Sequence, residues 1–151
     1  MNEHVLAMIE LLAKDQRYHL EAYQFVREGL AYAQRVMKMP AYTGENENEE
    51  GKEEGKEEGK EEGKSDRHLT GQQLCQAIRE YALEQYGALA KTVLNSWGVH
   101  TTSDFGEIVY NLIRIREMRK SKSDRREDFD DQYDFEQAFH PRFERIGSQD
   151  G

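Results

Sequence analysis

Val5, Ile9 and Leu12, with Leu6 and Met8 beside them, recur at helical spacing until Asp15-Gln16-Arg17-Tyr18 breaks the pattern. A second run follows in which Tyr23, Val26, Leu30, Ala33 and Met37 step by three or four residues along one face. Phe25, Tyr32 and Val36 widen that stripe to about half the circumference, so the helix predicted here is buried against a neighbour. Gly29 inside it costs about 1 kcal/mol relative to alanine, a loss that close packing of a neighbour would offset. Pro40 ends the block. Residues 1–40 therefore read as a helical hairpin, two antiparallel helices joined by a short turn.

The periodic signal returns after residue 68. Thr70-Gly71-Gln72-Gln73 has the form of a capping box, in which the hydroxyl and the amide three residues later each satisfy a free backbone donor. Leu74, Ile78 and Tyr81, with Ala77 and Ala82, continue as a helix face to Gly87. Leu89, Val93, Leu94 and Trp97 form a further run that stops at Gly98, the residue expected just past a helix C-terminus. Thr101-Thr102-Ser103-Asp104 offers several N-caps, and Phe105, Ile108, Val109, Leu112 and Ile113 follow at core spacing. Three helices with short connections make a compact module.

Between the two blocks, residues 43–67 contain no Val, Ile, Leu, Met, Phe, Trp or Tyr, and Gly51-Lys52-Glu53-Glu54 recurs at Gly55 and Gly59. Four glycines outweigh the weak attraction of Glu and Lys three apart, and nothing apolar is available to bury. Residues 41–68 are expected to be a disordered acidic linker. Charge supports the division: Glu45 to Asp66 carries 11 acidic and 4 basic residues, a net of −7 in a chain whose total is −9. The remaining chain is nearly neutral.

The second charge contrast lies after Ile113. Arg114 to Arg126 holds seven basic and two acidic residues, and Glu127 to Glu136 holds six acids and no base. Phe129, Tyr133, Phe135, Phe139 and Phe143 thread this region. Aromatic residues in a polar tail dock on something, here first of all on the protein's own core. The basic residues with the two leading aromatics make the candidate interaction surface: Arg114, Arg116, Arg119, Lys120, Arg125, Arg126, Phe129 and Tyr133.

The same stretch admits a winged-helix reading. The helices either side of Gly98–Ser103 would be the reading pair, with wing strands at 115–119 and 126–129. The first turn of the would-be recognition helix, which should face base edges, reads Asp104, Phe105, Gly106, Glu107. Two carboxylates there repel phosphates, so nucleic acid is the disfavoured partner. Asp128 to Phe139 lacks the glycine and glutamate that a calcium loop needs at its sixth and twelfth positions. None of the five histidines has a second His or Cys at metal-ligand spacing, and Cys75 is the only cysteine. No catalytic, cofactor or metal residue is assigned.

Several stretches, taken together, resemble a known family. They are Thr70 to Leu74, Tyr86 to Val99, Thr102 to Leu112, Arg126-Glu127-Asp128-Phe129 and Tyr133 to Phe139. With Asp15-Gln16-Arg17-Tyr18 through Glu28, they resemble an uncharacterised family of small proteins found mainly in Planctomycetes and Verrucomicrobia. Trp97-Gly98-Val99 followed by Asp104-Phe105-Gly106-Glu107-Ile108-Val109 is its most specific part. The resemblance implies no activity. The Gly-Lys-Glu-Glu insertion and the basic Arg114 to Lys120 depart from the family pattern, and the second departure weakens any hairpin at that point.

The expected architecture is mostly α: a compact five-helix domain with a disordered acidic linker and room for a winged-helix-like C-terminal hairpin. Residues 69–139, with their aromatic acidic tail, pack with 1–40 as one domain, and 140–151 form a flexible C-terminus. No apolar run reaches the roughly 20 residues of a membrane span, and the first residues lack the basic and apolar regions of a signal peptide. A cytoplasmic location is expected. The functional expectation is a non-catalytic interaction or adaptor protein with a protein partner; the alternatives are a nucleic-acid-binding regulator and an enzyme of unrecognised type. Oligomeric state is left open.

Overall fold

The computed structural model describes residues 2–39, 69–119 and 125–140. Helices α1 (Glu3–Lys14), α2 (Leu20–Arg35), α3 (Gly71–Tyr86), α4 (Ala90–Ser96) and α5 (Thr102–Arg114) carry the fold. A single-turn α6 (Phe135–Ala138) and two 3-10 turns, Gly87–Leu89 and Arg126–Phe129, complete it. The protein is mostly helical, and no strand occurs among the described residues. None of the described helices is long and apolar enough to cross a membrane. The expectations for the linker at 41–68, for Lys120 and for the C-terminus beyond His140 lie outside the described residues.

Local chemistry sets the helix ends. Asn2 Oδ1 accepts the Val5 amide at the start of α1. The capping box at Thr70 and Gln73 forms in both directions, at 3.0 and 2.9 Å. Gly98 turns the chain between α4 and α5 with φ +95°, the left-handed region that favours glycine. That turn is pinned to the one between α1 and α2, because the His19 amide donates to the Trp97 carbonyl at 3.1 Å.

The core forms where α2 lies along α3 and against α5. Tyr23, Phe25, Val26 and Ala33 from α2 join Leu74, Ala77 and Ile78 from α3 and Phe105, Ile108, Val109 and Leu112 from α5 in one buried cluster. A Cβ on Gly29 would lie 2.9 Å from Ile78 Cγ1, so the helix-weakening glycine is where α2 and α3 approach closely. The apolar stripe of α1 behaves differently. Val5 and Ile9, from the predicted stripe, are exposed; Leu11 is the buried residue of this helix. The reason is geometric: a periodic stripe identifies an apolar side without fixing how much of it is covered, and in α1 Met8 and Leu12 pack against the core while Val5, Leu6 and Ile9 do not.

The aromatic tail docks on its own domain. Phe129, Phe135 and Phe139 are buried, with Phe105 and Phe135 ring centroids 5.8 Å apart. Thr102 Oγ1 donates to the Phe129 carbonyl at 2.6 Å and accepts the Gln132 amide at 3.1 Å, which anchors the tail to the first turn of α5. The winged-helix hairpin is corrected at both of its strands. Residues 115–118 curl back so that the Glu117 and Met118 amides reach the Leu112 carbonyl, and 126–129 form a 3-10 turn instead of an extended strand. The buried Met118 and Phe129 demand that curvature, since extended strands would pull both from the core.

Candidate functional site

Asp104, Glu107, Asn111 and Arg114 share one face of α5 by their spacing of three and four residues. The turn between α1 and α2 lays Asp15, Arg17 and Tyr18 against that face, and the 3-10 turn brings Arg126 to it. Arg17 donates Nε and Nη2 to the two oxygens of Asp15, at 2.9 and 2.7 Å, and Nη2 also to Glu107 at 3.2 Å. Arg126 Nη1 reaches the other Glu107 oxygen at 3.3 Å. Asn111 Nδ2 donates to Asp15 and to the Tyr23 hydroxyl, both at 3.0 Å, while its carbonyl accepts from Arg114. Asp104 accepts the Tyr18 hydroxyl and the His100 and Thr101 amides.

The signs are layered. Side chains of Asp15 and Glu107 retain 19% and 26% of their exposure, whereas Arg17 and Arg126 retain 53% and 47%. The carboxylates lie beneath and the guanidiniums above. Each outer guanidinium also rests near an aromatic ring, Arg17 at 5.0 Å from the centroid of Tyr18 and Arg126 at 5.3 Å from that of Tyr110. Held from below and braced by rings, these side chains have lost much of the rotamer freedom that a partner would otherwise have to freeze.

Ionisation follows from the same contacts. The hydrogen bonds from Arg17 hold the Asp15 carboxyl well below the ordinary carboxylate range, against the opposing effect of burial. Burial and the bond to Asp104 push the Tyr18 hydroxyl up. A carboxyl lowered in the folded state stabilises the fold above its unfolded pKa of about 4. That stabilisation is lost as the pH falls through the folded value. Asp15→Asn is therefore expected to lower stability at pH 7 by about 1–3 kcal/mol, the worth of charge-assisted hydrogen bonds. It should also flatten the loss of stability below pH 4. Urea titrations at pH 7 and pH 3 check this, and a variant that matches the parent at both values would refute it.

Cys75 is buried and desolvation pushes its thiol up, away from the thiolate that nucleophilic chemistry needs. Asp104 and Glu107 are engaged in the contacts above, and Thr102 and Ser103 in the first turn of α5 are bonded to Phe129 and Asp130. That turn meets Tyr18 on one side and the residues of the docked tail on the other.

Of the predicted surface residues, the structure gathers Arg114 and Arg126 on the α5 face. Arg116 and Arg119 are exposed on the turn that follows, where Arg116 takes a left-handed φ of +64°. Arg125 is exposed beside Arg126, its amide bonded to Asp128. Phe129 is fully buried, and Tyr133 is partly buried against the core, its hydroxyl donating to the Cys75 carbonyl at 2.7 Å. Both rings pack on the core, and the arginines make the exposed part of the predicted surface. Arg17 is the residue that sequence reasoning missed. Its signal was the acid-then-base pair Asp15 and Arg17 exactly where the helical pattern breaks. Comparison of the chain with protein-family models, with curated proteins and with solved structures gave no match.

Proposed function

We propose that the protein is a non-catalytic interaction module whose arginine row, Arg17, Arg126 and Arg114, docks an acidic segment of a partner protein. The layering of exposed guanidiniums over recessed carboxylates carries this reading. Guanidiniums fixed in place present planar donor edges suited to carboxylates. The described contacts use Arg17 Nε and Nη2, which leaves Nη1 unengaged among the described residues. Arg116, Arg119 and Arg125 extend the positive surface at its two ends.

Arg114→Glu combined with Arg126→Glu tests the reading, because neither side chain is part of the core. The tagged protein and this variant are used to capture partners from native lysate after nuclease treatment. A nuclease-resistant protein partner bound by the parent is expected to lose at least about tenfold in affinity, or 1.4 kcal/mol, on charge reversal. Binding unaffected by the double reversal would end the assignment of this surface. Loss of the captured material on nuclease treatment would transfer the arginine row to nucleic-acid binding.

A further inference from the structure

Between the C-terminal ends of α2 and α3 runs an open groove of about 570 Å³, within the size range of ligand sites. Tyr32 lines it from α2, Glu80, Leu83 and Glu84 from α3, Ala88 from the 3-10 turn that follows, and His140 from the end of the described chain. Glu80 and Glu84 are four apart on one face, near the end of α3 where the helix dipole is negative. The last turn of that helix contains no basic residue to offset them. Among the described residues Glu80 meets Gln76 at 3.4 Å and Arg79 at 4.0 Å, the limit of ion-pair distance, and Glu84 adjoins Tyr32. Leu83 and Ala88 give the same groove an apolar side. A fitting occupant is basic and apolar at once.

We propose that this groove is the seat of residues 142–146 of the chain itself. From His140, at the groove wall, the sequence runs on as Pro141-Arg142-Phe143-Glu144-Arg145-Ile146-Gly147. Pro141 and Gly147 frame the segment with the residues favoured at the start of a helix and just past its end. At about 100° per residue, Arg142, Phe143, Arg145 and Ile146 fall within an arc of about 160°, and Glu144 falls outside it. One helical turn thus offers two guanidiniums to Glu80 and Glu84 and two apolar side chains to Leu83 and Ala88. Reach is ample: at no more than about 3.6 Å per residue, Ile146 lies within about 22 Å of His140. Glu80 and Glu84 are only about 6 Å apart along α3. So short a tether gives the segment a millimolar effective concentration, which an outside ligand would have to overcome. Phe143 then docks as Phe129, Phe135 and Phe139 do. The groove uses none of the arginine row, and this inference is independent of the proposed function.

Nitrogen-15 relaxation of the full chain is the test. Backbone order parameters of residues 142–146 should approach the value of about 0.85 typical of rigid backbone. The Phe143 ring should also show Overhauser contacts to the methyl groups of Leu83 or Ala88. Glu80→Lys combined with Glu84→Lys should remove those contacts and lower the order parameters below about 0.6, with the helical circular dichroism kept. Adding Arg142→Glu and Arg145→Glu to the same chain should restore both. Phe143→Ser, which leaves α3 untouched, should free the segment as well. Order parameters below about 0.6 in the parent overturn the proposal and leave the groove to an outside cationic ligand. A segment still ordered after the glutamate reversals or after Phe143→Ser overturns the groove as its seat. Loss without charge rescue overturns the pairing of the two arginines with Glu80 and Glu84.

Discussion

Gly98→Ala is expected to destabilise the protein by about 3–5 kcal/mol, through both positive-φ strain and a backbone clash. The residue sits at φ +95°, and an added Cβ would lie 2.0 Å from the Arg17 carbonyl oxygen and 3.2 Å from its carbon. Both are backbone atoms, so no side chain can swing aside. The two turns would have to separate, which strains the His19-to-Trp97 hydrogen bond and shifts Arg17 away from Glu107. Gly87→Ala provides the control. Gly87 also has a positive φ, +50°, but nothing within 4 Å of its would-be Cβ, so the cost should be only the backbone strain, about 1–3 kcal/mol. Urea denaturation of both variants measures the difference. Equal losses would show that the close approach of the two turns contributes nothing.

The second large effect is expected at Phe129. Its ring fills the space between α3 and α5: a Cβ on Gly71 would come within 2.9 Å of Phe129 Cε1, and one on Gly106 within 2.9 Å of Phe129 Cβ. Two glycines facing one ring leave a slot that only an aromatic of that size fills. Phe129→Ala is expected to cost about 3–5 kcal/mol, because neighbouring glycines have no side chains with which to close the cavity. Against a typical total of about 5–15 kcal/mol, that loss would leave the variant marginal at 37 °C. Thermal unfolding by circular dichroism measures it, and a melting temperature within a degree or two of the parent would contradict the packing described.

The helices were largely legible in the chain, and the reasons differ from one to the next. The stripe from Tyr23 to Met37 marked a buried face, and Tyr23, Val26 and Ala33 are buried. The caps at Thr70 and Gly98 marked ends, because each satisfies a backbone need that few residues can meet. Helix α1 shows the limit of periodicity. Val5 and Ile9 repeat as regularly as any core pair, yet their spacing carries no information on what the stripe faces. The tail was half legible: aromatic residues among acids indicated docking on the core, but the same residues could not be both docked and displayed. Phe129 and Tyr133 resolved in favour of the core. Arg17 was out of reach because its decisive contact, Glu107, is 90 positions away in sequence and belongs to no repeat. Charge counting over a window found Arg114 and Arg126 but could not show that carboxylates lie beneath them.

The late position of Phe129, Phe135 and Phe139 has a consequence for how the protein is made. A nascent chain that has emerged as far as α5 possesses every main helix, yet Gly71, Gly106 and Phe105 still face an empty slot. The hydroxyl of buried Thr102 likewise waits for the Phe129 carbonyl. A chain ending before Phe129 is therefore expected to leave that slot open to solvent and to fold less stably than the full chain.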